Sequence, residues 1–374
     1  MLFKYIAVLT VAGFLVSCQS KNQTKEEPEK KKTVVAKANS PLEEVFADST
    51  YQLTGVAVSP DGRLFTNYPY WLEKHRYSVV EIVNGKAVPY PDAAWNSFKK
   101  GENGLNKFVC VQSVVADEKG YLWVVDAAGI GLGKVYQKSN KLLKIKLSDN
   151  SIERIYRFPE NVAGADVYIN DIRIDNNNGY AYMTSSSGGG LVVLNIKSGD
   201  SRFVLGNSPS VKSDTAYHFS PNGKELTKSD GSLLKVNSDG IALTPDNVWI
   251  YYKPLSDNRL YRISTTLLRN FKTPLKTLVD SVQDLGKFVT TDGMIFDKSG
   301  NLYLGDLEKN SIVKITSDLK MQTVIQDDRL RWPDSYSISQ DGYLYISCSQ
   351  IQYMPWFHAA DEIERPFKIF RLKL

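Results

Sequence analysis

Six stretches of the 374-residue chain place a polar or acidic residue just ahead of an alternating apolar run: Thr54, Gln112, Asn170 with Asp171, Asp239, Asp292 and Asp334. If each run is the innermost strand of a repeating unit, these positions converge at one end of a central channel, and four carboxylates meet there. Like charges gathered closely raise one another's pKa unless a cation or hydrogen-bond donors compensate. The chemistry open to such a ring is capture of a cationic ligand, an amine or a metal ion, or sharing of a proton between two acids. A purely structural role competes, because aspartate at the head of a strand can satisfy backbone amides as an Asx turn does; about half of the four are expected to serve that way. Asp239 and Asp292 are each followed by a glycine (Gly240, Gly293) that lets the backbone pass close to a bound group, so they lead as ligand contacts. Trp71, Tyr168, Trp332 and Tyr336 stand near these stretches and could wall a pocket, where a cation over a ring gains about 0.5–2 kcal/mol. With 21 Tyr, 15 Phe and 6 Trp in the chain, core packing is the competing role for any one of them. His75, His218 and His358 lack metal-ligand spacing, so no histidine zinc site is expected.

What positions the ring is a hairpin repeated six times. Its clearest copy is SDGIALTPDNVWIYY from Ser238, where a polar step leads into an alternating strand, Pro245-Asp246-Asn247 turns the chain, and an aromatic strand returns. The other copies are TGVAVSPDGRLF from Thr54, QSVVADEKGYLWVV from Gln112, NDIRIDNNNGYAYM from Asn170, TDGMIFDKSGNLYLG from Thr291 and DSYSISQDGYLYIS from Asp334. Their turn aspartates (Asp61, Asp117, Asp175, Asp246, Asp297, Asp341) recur on the order of 50 residues apart, the sign of a repeat array. Asp61, Asp246 and Asp341, at the far end of their strands from the ring, are expected to be structural. Two further strand-like runs follow most hairpins, as at Lys141 to Leu147 and Ile152 to Phe158, which makes four strands per unit. The pattern predicts an all-β, six-bladed β-propeller of four antiparallel strands per blade. The sixth unit has its hairpin and a third strand, Phe367 to Leu372, but no fourth; the spare strand Glu43 to Asp48 can fill that gap, closing the ring and removing an exposed edge. The insertion Pro91 to Lys107 and the connection Asn207 to Asn237 are long enough to suggest function, and Tyr217, His218 and Phe219 suggest that the second packs over something. The Gly188 to Gly190 run lacks the context of a phosphate loop and is expected to be a blade turn.

The chain begins with Lys4, an apolar run from Tyr5 to Val16, then Ser17-Cys18, which has the charged, apolar and small-residue parts of a secretory signal. A cysteine directly after the small residue resembles the bacterial lipoprotein signal. The expected layout is a signal peptide over 1–17, a lipidated Cys18 with a charged disordered tether over 18–40, and the propeller over 41–374. A protein so built sits outside the cytoplasm, held to a bacterial membrane by its acyl chains, with the triplet Lys25-Glu26-Glu27 resembling surface-export signals. From Lys21 to Ser40 the tether carries six Lys and three Glu, so most of the formal charge of +5 belongs to the leader and tether; the body is close to neutral and no nucleic-acid partner is expected. A monomer is expected. Cys110 and Cys348 lie in strand-like apolar text, as a disulfide or as two buried thiols.

The phrases TGVAVSPDGRLFTNYPYW, LLKIKL, SDGIALTPD, NRLYRISTTLLRN (Asn258 to Asn270), TDGMIFDKSGNLYLGD and RWPDSYSI resemble the major royal jelly protein/yellow family over roughly Thr54 to Leu374. The STTLLRN piece is the most specific, and Tyr70 departs from the arginine common before the tryptophan matched by Trp71. The resemblance implies a six-bladed propeller, secretion, and in its best understood members a small aromatic amine bound in the channel; some insect members are linked to dopachrome conversion. More distantly the chain resembles the senescence-marker/gluconolactonase propellers, calcium- or zinc-dependent lactonases. That likeness implies metal positions at Asp239 and Asp292 and substrate-side positions at Asn170 and Asp171, although the group's glutamate falls at Thr54; in an enzyme of this kind Asn170 could join Asp239 and Asp292 on the metal. No cofactor is certain; calcium or another divalent cation is the candidate.

Three functions follow in order: a lipid-anchored protein binding a small cationic or aromatic molecule through Gln112, Asn170, Asp171, Asp239, Asp292, Asp334, Trp71 and Tyr336; a metal-dependent lactonase or an isomerase with Asp171 as candidate base; and a protein-interaction scaffold.

Overall fold

The computed structural model describes residues 40–358 and 362–374. The leader, Cys18 and all of the tether but Ser40 lie outside the described residues. From Pro41 to Leu374 the chain forms one compact unit.

Strand β1 (Glu43–Asp48) comes first and belongs to the last blade. Blade 1 is β2 (Val56–Val58), β3 (Leu64–Asn67), β4 (Val79–Val83) and β5 (Lys86–Pro89). Blade 2 is β6 (Val111–Ala116), β7 (Tyr121–Asp126), β8 (Lys141–Lys146) and β9 (Ser151–Tyr156). Blade 3 is β10 (Ile169–Asp175), β11 (Tyr180–Ser185), β12 (Leu191–Asn195) and β13 (Ser201–Val204). Blade 4 is β14 (Ser238–Leu243), β15 (Trp249–Pro254), β16 (Arg259–Ser264) and β17 (Gln283–Lys287); blade 5 is β18 (Met294–Phe296), β19 (Leu302–Asp306), β20 (Ser311–Ile315) and β21 (Met321–Gln326). Blade 6 is β22 (Pro333–Ile338), β23 (Tyr343–Cys348) and β24 (Phe367–Lys373), and β1 pairs antiparallel with β24 as its fourth strand. The expected six-bladed ring, closed by its N-terminal strand, is the observed fold. Cys110 and Cys348 are both free and buried.

The apolar alternation is used on both sides of each blade. In β7, Leu122 and Val124 pack into a cluster shared with blade 1, while Trp123 and Val125 pack into one shared with blade 3. Similar clusters fill the other seams, so the core is spread around the ring. At about 1.5–3 kcal/mol for each fully buried aliphatic or aromatic side chain, seam packing dominates the stabilisation of the fold.

At the end of the strands remote from the ring residues, the turn aspartates are structural. Asp117 accepts from Lys119 N (2.9 Å), Tyr121 N (3.0 Å) and Trp123 Nε1 (2.8 Å). Asp175, wholly buried, accepts from Asn178, from Asn247 Nδ2 (2.9 Å) and from Arg269 Nη1 (3.1 Å). Arg269 ends the short helix Thr265–Arg269, so the STTLLRN segment ties blade 4 to the turn of blade 3. The 91–107 insertion is held to blade 2 by a buried pair: Lys141 Nζ lies 2.7 Å from Asp126 Oδ2 and also donates to Gly104 O (3.0 Å).

Candidate ligand site at the channel mouth

The innermost strands begin earlier than their alternation predicts. β14 opens at Ser238, taking the polar step inside the strand, and its pairing with β15 slips between Ser238 and Ile241. The same irregularity falls between Val111 and Ser113, Ile169 and Ile172, and Pro333 and Tyr336. A bulge re-aims the side chains it carries, and these four carry Gln112, Asn170 with Asp171, Asp239 and Asp334. In blades 1 and 5 the strands start later, and Thr54 and Asp292 stand just ahead of them.

Asp239, Asp292 and Asp334 form one buried group, each less than a tenth exposed. Burial, and then the neighbouring Asp292, holds Asp239 and Asp334 well above the usual carboxylate range. Burial also pushes Asp292 up, to about 6, against the opposing hydrogen bond from Trp332 Nε1 to its Oδ2 (2.7 Å). Asp239 and Asp292 stand in hydrogen-bond contact, an arrangement open to two acids only when a proton lies between them. Asp334 Oδ2 is buried without a hydrogen-bond partner; the hydroxyl of Ser349, near enough to favour the ionised form, is likewise unpartnered.

The remaining ring residues are satisfied within the protein. Asn170 Nδ2 donates to Asp239 Oδ1 (2.5 Å). Asp171 accepts from Ser113 Oγ (2.8 Å) and Ile172 N (2.7 Å) and pairs with Arg173 Nη1 (2.9 Å). Thr54 Oγ1 accepts from Asn67 Nδ2 (2.9 Å) and donates to Gln112 O (3.3 Å). Gln112 Oε1 accepts from Tyr168 OH (2.8 Å), which in turn accepts from Trp71 Nε1 (3.2 Å). Tyr336 lies in the seam between blades 5 and 6, its hydroxyl donating to Pro333 O (3.2 Å), close enough to Asp292 and Asp334 that, after burial, their charges help raise its pKa.

Two cations here escaped the sequence reading. Lys253, at the end of β15, is 1 % exposed, donates to Pro254 O (2.6 Å) and Asp257 O (2.7 Å), and feels Asp239 and Asp292; burial lowers its pKa to about 8. A lysine inside the apolar run WIYYKP was the available signal. Arg173 reaches across the channel to donate to Met294 O (2.6 Å) on β18; its signal was the Asp-x-Arg spacing, which puts both side chains on one face of a strand. Gly240 and Gly293 serve the ring rather than an open approach to a ligand: a Cβ on either would sit 2.4 Å from the carbonyl oxygen of Asp292 or Asp334 on the next blade.

The Asn207 to Asn237 connection packs over this site. Phe219 meets Trp332 edge to face (5.6 Å between ring centres), Tyr217 OH bonds Thr290 Oγ1 (2.6 Å), and Ser220 N donates to Glu308 Oε1 (2.8 Å). The same apolar cap includes Trp71 and Trp356, 5.7 Å apart.

The donors present do not suit a divalent cation. A hard cation such as calcium takes six or more oxygens, yet Thr54 is committed to Asn67 and Gln112, Asn170 turns an N–H toward Asp239, and Asp292 Oδ2 is held by Trp332. Among the described residues no three His, Cys, Asp or Glu side chains stand in a metal-ligand arrangement. What the arrangement offers is a pair of acids in contact, a third acid with one oxygen outside hydrogen-bond geometry, and one buried lysine.

Comparison with known proteins gives consistent relatives. The family model described as "Major royal jelly protein" matches residues 109–373. The chain is 27 % identical over 223 residues to Major royal jelly protein 3 of Apis mellifera, covering 56 % of this chain and 39 % of that protein. It is 24 % identical over 226 residues to Protein yellow of Drosophila melanogaster, covering 56 % and 40 %. The match therefore spans about two fifths of these curated relatives' length. Among solved structures it is similar to a gluconolactonase from Xanthomonas campestris (TM-score 0.55, 11 % identity, 89 % of each chain covered) and to a luciferin-regenerating enzyme (0.52, 13 %, covering 89 % of this chain and 95 % of that one). At these identities the structural likeness speaks for the fold alone.

Proposed function

The chain belongs to the major royal jelly protein family, and from that premise we propose that it is a ligand-binding propeller whose channel mouth takes a small organic cation, an aromatic amine by preference. The observation that carries this reading is the group of three buried acids, Asp239, Asp292 and Asp334, all held above their usual range, with Asp334 Oδ2 outside full hydrogen-bond geometry even with the neighbouring Ser349 hydroxyl. An ammonium group supplies what such a group lacks, since it has three donors and a positive charge. The apolar cap of Phe219, Trp332 and Trp71 would cover the ligand's ring. Ionising these buried acids is costly without a counter-charge, so a cation that binds there favours their charged forms and is held by them in return.

We propose further that the protein is exported and anchored through lipid on Cys18, a reading supported by the Lys4, apolar run and Ser17-Cys18 pattern. Metabolic acyl labelling that is lost in Cys18→Ser, with release from the membrane fraction, is the expected result.

The site itself is tested with paired ligands, tyramine against its uncharged alcohol analogue tyrosol, titrated with chelator present. Tyramine is expected to bind at least tenfold tighter, with the preference lost in Asp334→Asn. Equal affinity for the two would remove the cation reading. Binding or lactone turnover that appears only with added divalent metal would transfer the site to the hydrolase reading.

A further inference from the structure

A cavity lies where β1 closes the ring against blade 1. It has a volume of about 210 Å³ and is walled by Tyr51, Tyr68, Leu72 and Phe367. Tyr68 and Phe367 are each 1 % exposed, and the Tyr68 hydroxyl is committed to Asp48 Oδ2 (2.9 Å). These walls are fixed and apolar, while Thr50, Glu73, Lys74 and Arg365 line its polar side.

Two acceptors belong to residues that line this space, and one of them, Gln52 Oε1, has no donor. Gln52 lines the cavity and is 7 % exposed. Its Nε2 donates to Ser349 O (2.8 Å), while its Oε1 is buried with no partner. The amide cannot be turned to cure this, since a flip would set its oxygen against the Ser349 carbonyl. His75 also lines the cavity, and burial pushes its pKa down to about 4, so it is neutral at physiological pH. Its Nε2 lies 3.1 Å from Tyr68 O, which requires the proton there and leaves Nδ1 as an acceptor.

We propose that this cavity is a second small-molecule site, one that takes a single aromatic ring carrying an O–H or N–H donor, with the donor directed to Gln52 Oε1. The size agrees, because a cavity of roughly 150 Å³ accommodates benzene and the additional room suits one short substituent. Class follows from the lining: aromatic and aliphatic walls bury the ring, and an orphan acceptor selects the donor-bearing ligand over its apolar isostere. Its lining carries charges of both signs, Glu73 with Lys74 and Arg365, which separates it from the acidic channel mouth.

The experiment compares phenol with toluene on the full protein by ligand-observed NMR and calorimetry. Phenol is uncharged at neutral pH, so its binding is separable from that of amines at the acidic group. Phenol is expected to bind on the order of tenfold tighter than toluene. Gln52→Met should erase that difference by weakening phenol alone, and Leu72→Trp, which fills the cavity, should abolish both. Equal affinity in the native protein, no saturable phenol binding up to its solubility limit, or phenol binding retained in Leu72→Trp would overturn the proposal; the first two need no variant to fold.

Discussion

Replacing Asp292 by asparagine should make the unliganded protein more stable at pH 8 while impairing its site. In the folded protein Asp292 titrates at about 6, raised from an ordinary 3.8 chiefly by burial. The folded state therefore holds a proton more tightly than the unfolded chain, and stability falls as pH rises through the window from about 4 to about 6. A shift of about two units corresponds to ~3 kcal/mol of stability absent at pH 8 and recovered below pH 4. Asparagine carries no charge at either pH, and its Oδ1 can still accept from Trp332 Nε1, which now bonds Oδ2 at 2.7 Å. It also relieves the repulsion that Asp292 exerts on Asp239 and Asp334. Urea unfolding of both proteins at pH 4 and pH 8 measures the difference directly. Asp292→Asn is expected to gain up to ~3 kcal/mol over the native protein at pH 8, little at pH 4, and to bind amines more weakly. A variant less stable than the native protein at pH 8, or an unchanged dependence between the two pH values, would refute the picture of crowded buried charge.

Trp332→Phe removes the donor that opposes the rise of Asp292, so the fall of stability with pH should extend above pH 6, with about 1.5–3 kcal/mol lost at pH 8 and far less at pH 4; the same unfolding series reads it. Arg269→Ala strips the cation from the wholly buried Asp175 and should cost about 3 kcal/mol in denaturant unfolding while leaving amine affinity at the opposite end of the blades unchanged. Lys253→Met removes the cation nearest Asp239 and Asp292 and leaves two carbonyls without their donor, which should destabilise the protein by about 3–5 kcal/mol at neutral pH.

Blade count, blade order and ring closure were legible because turn chemistry is local. Gly62 and Gly342 sit at φ 86° and 78° in their Asp-Gly turns, a conformation that glycine adopts readily, and each turn fixes a hairpin. The spare strand at 43–48 followed from counting strands against the last blade. The acidic group was legible as a list of strand heads, but not its geometry. The bulges that carry Gln112, Asn170 with Asp171, Asp239 and Asp334 leave no mark in the apolar alternation, so the strands were expected to begin after these residues. Lys253 reaches the site from a second strand and Arg173 from deeper in the channel, and a reading confined to strand heads passes over both. The glycines after Asp239 and Asp292 were visible, but only the neighbouring blade shows what they make room for.

The most direct test of the central claim is calorimetric titration of tyramine, with chelator, in two buffers of different ionisation enthalpy at pH 6. If the ammonium group replaces the proton shared by Asp239 and Asp292, binding releases a fraction of a proton up to about one, and the apparent heat differs between buffers in that sense. Binding with no proton release, or none without a divalent cation, would contradict it.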